Sequence, residues 1–305
     1  MIRTIGIVGT GAIGGYYGCR LLEAGKEVKF LLRSDYEEVK SNGFTVKSVD
    51  GDMKVAYPSI FQSTREMGPV DLVIVTWKST ANKHFEHVIR PLMHEDTKIL
   101  TLQNGLGNVE ELEALFGQGR VMGGLCFVRI NRLGGGVISH MGGGKITMGE
   151  FSESGSLHEV ASLFGPKVKT RPVDNLGRAQ WEKLVWNIPF NGLCVTEGGV
   201  DTRKLMQMPG MEAKCREVME EVLAGANALG FTIPHAFVDE MIHFTRGMGA
   251  YKPSTLIDYL ENREIEVEAI WGEPYRRATA AGVALPRLGE LYENLQKVAQ
   301  QTCLV

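Results

Sequence analysis

Ile5-Gly6-Ile7-Val8-Gly9-Thr10-Gly11-Ala12-Ile13-Gly14 runs from an apolar segment into a G-x-G-x-x-G spacing. A helix-like segment over 16–25 follows, and a second apolar segment over 28–32 ends at Arg33. Strand, glycine turn, helix, strand is the context that makes this spacing a dinucleotide fingerprint; a bare glycine turn carries no such meaning. Gly9 permits the tight turn, Gly11 lets the backbone approach a pyrophosphate, and Gly14 lets helix and strand pack closely. Ala12 and Ile13 complete the turn, and the pyrophosphate sits on the N–H groups at the helix N-terminus.

Arg33 selects the nucleotide. NAD sites usually place Asp or Glu after the second strand to hold the ribose 2′-hydroxyl, whereas a guanidinium suits a 2′-phosphate. The expected cofactor is NADPH. Asp35 lies beyond Arg33 and Ser34 and reads as a loop residue.

The chain has 305 residues, 44% hydrophobic and 23% charged, which suits a soluble protein of two domains. A net charge of −3 gives no electrostatic case for nucleic acid or an anionic membrane. No apolar run approaches membrane-spanning length and the first residues lead straight into a strand, so a cytoplasmic location is expected. Cys19, Cys126, Cys194, Cys215 and Cys303 form no C-x-x-C pair and read as reduced, mostly buried thiols. His84 and His87 lack a Glu or Cys that would complete a metal pattern, so no metal is expected.

Strand-like and helical or loop segments alternate through the first half. Segments 44–49 and 53–56 flank Asp50-Gly51-Asp52, a hairpin pattern. Residues 70–76 and 98–102 are continuous apolar strands ending at Trp77-Lys78 and Gln103-Asn104-Gly105. Further strands are expected over 121–130 and 136–148, with Gly134-Gly135-Gly136 and Gly142-Gly143-Gly144 marking turns. From about Asn175 the pattern turns helical, with segments over 181–192, 212–229, 235–245, 254–260, 264–281 and 286–300. The expected fold is α/β: an N-terminal Rossmann-type dinucleotide-binding domain over 1–172 and an all-helical substrate domain over 173–305, dividing near Pro172.

Ligands of open α/β sheets bind at the carboxyl ends of strands, where the glycine turn, Arg33, Lys78 and Asn104 all fall. Reduction of a ketone by a nicotinamide also needs a proton donor and groups that orient the substrate. Lys183, Asn187 and Asn191, spaced by four, form a polar stripe on one helix face, and two Asn in a helix ask for a reason. Ser254 after Pro253 reads as a helix N-cap. Glu264, Glu266 and Glu268 read as an acidic helix start, and residue physics does not choose among them.

These features together resemble the ketopantoate reductases. The A-I-G after the glycine motif, Arg33, Lys78 after V-I-V-T and the Q-N-G turn match that family's nucleotide site. Its W-x-K-L-x-x-N-x-x-x-N is matched by Trp181, Lys183, Leu184, Asn187 and Asn191. Its S-x-x-x-D and R-x-x-E-[IV]-[DE]-x-I-x-G are matched by Ser254, Asp258, Arg263, Glu266, Val267, Glu268, Ile270 and Gly272.

The resemblance implies NADPH-dependent reduction of 2-dehydropantoate to (R)-pantoate in pantothenate biosynthesis. Lys183 would be the general acid and Glu266 the second catalytic residue, positioning Lys183 and substrate. Asn187, Asn191 and Ser254 would bind the substrate. Asn104 would bind near the nicotinamide ribose and substrate, and Arg33 and Lys78 would hold the 2′-phosphate. The partner is a small 2-oxo acid, and a homodimer is compatible with the sequence. Two positions depart from the pattern: Tyr251, where the family commonly has Asn, and Trp271. Tyr251 motivates a second reading, reduction of another branched 2-oxo acid; a third is a non-catalytic NADP(H)-binding regulator.

Overall fold

The computed structural model describes residues 1–302. The chain forms two compact units, one from Met1–Gln103 and Asn108–Leu176, the other from Asn104–Gly107 and the chain from Gly177 onward.

The first unit is α/β. Its strands are β1 (Thr4–Val8), β2 (Glu27–Leu31), β3 (Phe44–Ser48), β4 (Met53–Val55), β5 (Ser59–Phe61), β6 (Leu72–Val75), β7 (Lys98–Thr101), β8 (Val121–Gly134), β9 (Val137–Glu150) and β10 (Thr170–Pro172). Its helices are α1 (Ala12–Glu23), α2 (Tyr36–Asn42), α3 (Thr64–Met67), α4 (Phe85–Ile89), α5 (Asn108–Phe116) and α6 (Leu157–Ser162). The strand order is β4-β3-β9-β8-β7-β6-β1-β2-β5, with β10 against β9. From β5 to β8 every neighbour is parallel; β8–β9 and β3–β4 are antiparallel.

The central strands are apolar on both sides because both faces are covered. Leu72 and Ile74 join one apolar cluster with Ile5, Ile7 and Leu100, while Val73 and Val75 join another with Val8 and Ile99. The register aligns Val8 with Leu31 and with Val75, so β1, β2 and β6 end at one level.

Two expectations are corrected here. Helix α1 starts at Ala12, four residues before the expected segment, because the glycine turn itself supplies the first helical residues. Gly134, Gly135 and Gly136 do make the β8–β9 turn, but Gly142-Gly143-Gly144 lies within β9. There the register shifts against Phe127–Ile130, and positive φ at all three glycines accommodates the irregularity.

The second unit is helical: α7 (Leu176–Thr196), α8 (Thr202–Gln207), α9 (Met211–Ala228), α10 (Ala236–Met248), α11 (Ser254–Leu260), α12 (Glu273–Ala280) and α13 (Pro286–Thr302). Helix α7 is its centre. Trp181, Leu184, Val185, Ile188, Phe190 and Leu193 are all buried, as for a helix packed on most sides. The expected helix over 264–281 is shorter. Residues 263–266 are non-helical, a π-helical turn spans Glu268–Gly272, and α12 follows. Trp271 sits in this turn, fully buried, and its indole N–H donates to the Ile188 carbonyl beside Pro189 (2.9 Å).

Among the described residues Cys19, Cys126, Cys194 and Cys215 form no disulfide, and Cys303 lies outside them. Burial pushes the Cys19 and Cys215 thiols up to about 12, so they are inert at neutral pH. No helix among the described residues is long and apolar enough to cross a membrane.

Candidate active site

In the first unit, the carboxyl ends of β1, β2 and β6 carry one group of candidates. Gly9 follows Val8 with φ +99°, and a side chain on it would collide with the Trp77 backbone. A side chain on Gly14 would collide with Thr76 and the Gly9 carbonyl, so α1 packs closely on the strands. Above Gly11, by contrast, a methyl group would meet nothing within 4 Å. Gly11 is also the N-cap of α1, with no side-chain cap and no acidic residue in the first turn. Ala12, Ile13 and Gly14 therefore begin a helix open to an anion, and the turn fits a diphosphate.

Two threonines that the motif does not include hold this turn. Thr10 Oγ1 donates to the Leu31 carbonyl (2.8 Å), and Thr76 Oγ1 donates to the Gly9 carbonyl (2.6 Å). Thr76 was readable only as the end of an apolar strand.

Arg33 is exposed two residues beyond β2. Lys78 is half-buried three residues beyond β6, at the start of a short 3₁₀ turn. The glycine turn, Arg33 and Lys78 thus lie at the carboxyl edge of three adjacent strands, where the order reverses about β1. Asp35 is the loop residue expected, and it pairs with Arg132 (3.2 Å).

Asn104 departs from the expected division at 172/173. Strand β7 precedes it, yet residues Asn104–Gly107 pack with the helical unit. The Leu106 N–H donates to the Ala269 carbonyl (2.9 Å) in the π-helical turn. Gly105 has φ +83°, and a side chain there would collide with that same carbonyl. The pinned segment presents Asn104, whose Oδ1 accepts from Lys183 Nζ (2.8 Å).

The polar stripe of α7 is real and graded. Lys183 is half-buried, Asn187 is 9% exposed, and Asn191 is 2% exposed. Asn187 makes no side-chain hydrogen bond among the described residues. Asn191 Oδ1 accepts the Thr255 N–H (3.1 Å) and lies 3.4 Å from Ser254 Oγ. Ser254 is therefore the first residue of α11, with no capping role. The cap arrives from α7 through Asn191, which answers why a weak helix former stands there.

The structure separates the three glutamates. Glu264 is exposed. Glu268 accepts from Tyr292 (2.6 Å) and pairs with Arg276 (2.8 Å). Its burial alone would raise its pKa, but these partners prevail and hold it below the usual range. Glu266 is the buried one, at 9% exposure in the non-helical approach to the π-turn. Asp258 and Arg263 shape that approach by an ion pair (2.9 Å), with the Arg263 N–H donating to the Asp258 carbonyl (2.8 Å).

Of the two departures, Tyr251 is half-buried with its ring 6.1 Å from that of Trp186. Its backbone is tied to Thr202: the Thr202 N–H donates to the Tyr251 carbonyl at 2.9 Å.

Comparison with known proteins matches the model described as "Ketopantoate reductase PanE/ApbA" over residues 5–153 and its C-terminal counterpart over 175–299. A 2-dehydropantoate 2-reductase of Nostoc is 38% identical over 302 residues, covering 96% of this chain and 94% of that protein. The crystal structure of 2-dehydropantoate 2-reductase from Geobacter metallireducens aligns with TM-score 0.93 at 44% identity, covering 96% of this chain and 99% of the other. That from Methylococcus capsulatus aligns with TM-score 0.89 at 30% identity, covering 98% and 97%.

Proposed function

The chain belongs to the ketopantoate reductase family, and from that premise we propose that it reduces 2-dehydropantoate to (R)-pantoate with NADPH, as a cytoplasmic step toward pantothenate. The observation that carries the catalytic reading is the Lys183–Asn104 pair: an amine on the central helix, aimed by an amide on a pinned loop. Residues 1–172 then form the nucleotide-binding part and 173–305 the substrate part, with the Asn104 loop working alongside the latter.

In this reading the open backbone at Gly11 and the N-terminus of α1, from Ala12 through Gly14, hold the diphosphate. Arg33 and Lys78 hold the 2′-phosphate, and Asn104 contacts the nicotinamide ribose and the substrate. When bound, the reduced nicotinamide supplies a hydride to the C2 carbonyl carbon. Lys183 donates a proton to the carbonyl oxygen as negative charge develops there. Asn104 accepts one Lys183 N–H. Glu266 positions the ammonium and the substrate. Asn187 offers an uncommitted amide. Asn191, its carbonyl spent on Thr255, offers its NH₂, and Ser254 its hydroxyl.

The test is cofactor consumption by the purified protein with 2-dehydropantoate and a panel of branched 2-oxo acids, each with NADPH and NADH. Turnover fastest with 2-dehydropantoate and NADPH is expected. Tyr251 favours one alternative, a different branched 2-oxo acid, and faster turnover of such an acid would replace the proposed substrate. Tight cofactor binding without turnover of any acid would leave a regulator.

A further inference from the structure

The loop after β2 carries both kinds of group that decide between a ribose 2′-hydroxyl and a 2′-phosphate. Arg33 suits the phosphate, and Asp35, two residues on, is a carboxylate of the kind that binds the hydroxyl. Asp35 is not available for that task. Arg132, near the end of β8, sets Nη2 3.2 Å from Asp35 Oδ1 and 3.4 Å from Ser34 Oγ. Ser34 Oγ in turn donates to Asp35 Oδ1 at 3.1 Å. The Asp35 side chain is 12% exposed and that of Arg132 37%. The pair is open on its Arg132 side, and the Asp35 carboxylate, largely shielded from water, is held by Arg132 and Ser34.

This pairing bears on a ligand. An unpaired Asp35 would repel a dianionic 2′-phosphate and offer an acceptor to a 2′-hydroxyl. Arg132 removes both effects and adds a second guanidinium to the loop that carries Arg33. We propose that Arg132 is a specificity-determining residue for the phosphate-bearing dinucleotide, acting by holding Asp35 out of the ribose site. This rests on the NADPH reading above.

The experiment measures Kd for NADPH and NADH by nicotinamide fluorescence, without substrate, for wild type, Arg132→Ala, Arg132→Gln and Asp35→Asn/Arg132→Ala. The wild type binds NADPH more tightly. Arg132→Ala weakens NADPH roughly tenfold or more, the scale of a carboxylate's repulsion of a phosphate at short range, and strengthens NADH. Arg132→Gln keeps a donor toward Ser34 and shifts the ratio the same way, which guards against a folding loss in the alanine variant. In the double variant the NADH gain shrinks, because a neutral amide is a weaker acceptor for the hydroxyl than a carboxylate.

Arg132 variants that keep the wild-type ratio overturn the proposal alone. So does a double variant with the NADH affinity of Arg132→Ala, since the effect then bypasses Asp35. A wild type indifferent to the 2′-phosphate overturns the cofactor reading, and this proposal with it.

Discussion

In the proposed reaction single side chains carry the chemistry, and two of them are decisive. Lys183→Ala removes the proposed proton donor while leaving the glycine turn intact. Its kcat is expected to fall by roughly two orders of magnitude, with NADPH affinity little changed. Steady-state kinetics beside a binding titration checks this, and a nearly unchanged kcat would remove Lys183 from the role. Arg33→Ala is expected to weaken NADPH far more than NADH; equal losses would mean that the guanidinium meets no 2′-phosphate. Lys183, Asn187 and Asn191 were legible as a stripe because their spacing matches the helix repeat. The choice of Glu266 over its neighbours came only through the resemblance. The structure distinguishes the three by burial at Glu266, exposure at Glu264 and the Tyr292 and Arg276 partners at Glu268, none of which the acidic run itself reveals.

Elements position these side chains through partners that sequence spacing does not reveal. The strand, turn and helix of the dinucleotide motif were legible because the glycine spacing that marks them is local, whereas Thr76, which closes on the Gly9 carbonyl from 67 positions away, was not. The cap of α11 was not: it joins Asn191 to Thr255 across 64 positions. Asn191→Ala should therefore destabilise the protein by about 1 kcal/mol, the usual worth of a lost helix cap. Urea denaturation measures it, and Asn191→Asp, which keeps an acceptor at a helix N-terminus, should recover most of the loss. No loss in the alanine variant would leave Asn191 to ligand binding alone. The π-helical turn was equally hidden. Its sequence, Glu268–Gly272, reads as ordinary helix, and its carbonyl to the Asn104 loop decides what it does.

The whole molecule has an acid limit set in part by the α/β unit. His140 on β9 is fully buried, with Nδ1 2.9 Å from Ser48 Oγ and 3.7 Å from Asp50. The Tyr16 ring lies 4.5 Å from it, tilted by 33°, and Arg20 lies nearby. Burial, aided by Arg20 and opposed by Asp50 and backbone partners, lowers its pKa below the usual ~6.5. The unfolded chain then takes up a proton before the folded one does. The full contribution to stability is present above pH ~6.5 and is lost as pH falls from there toward the folded-state value. Denaturation midpoints between pH 7.5 and 5.5 should fall, and His140→Gln should flatten that slope; an unchanged slope would clear the imidazole. Chain length and the change to an all-helical pattern near Asn175 predicted two domains, but they could not show that residues 104–107 leave one unit for the other, since four residues carry no periodicity of their own. That excursion has a consequence for dissection of the gene. A fragment beginning at residue 177 would lack the tetrapeptide that occupies the Ala269 carbonyl and steers Lys183, so neither half can be cloned as a finished module by a single cut. Restoring a working protein from two pieces would require splitting the chain elsewhere, beside the exposed Gly135 in the β8–β9 turn, with every crossing strand of polypeptide left whole.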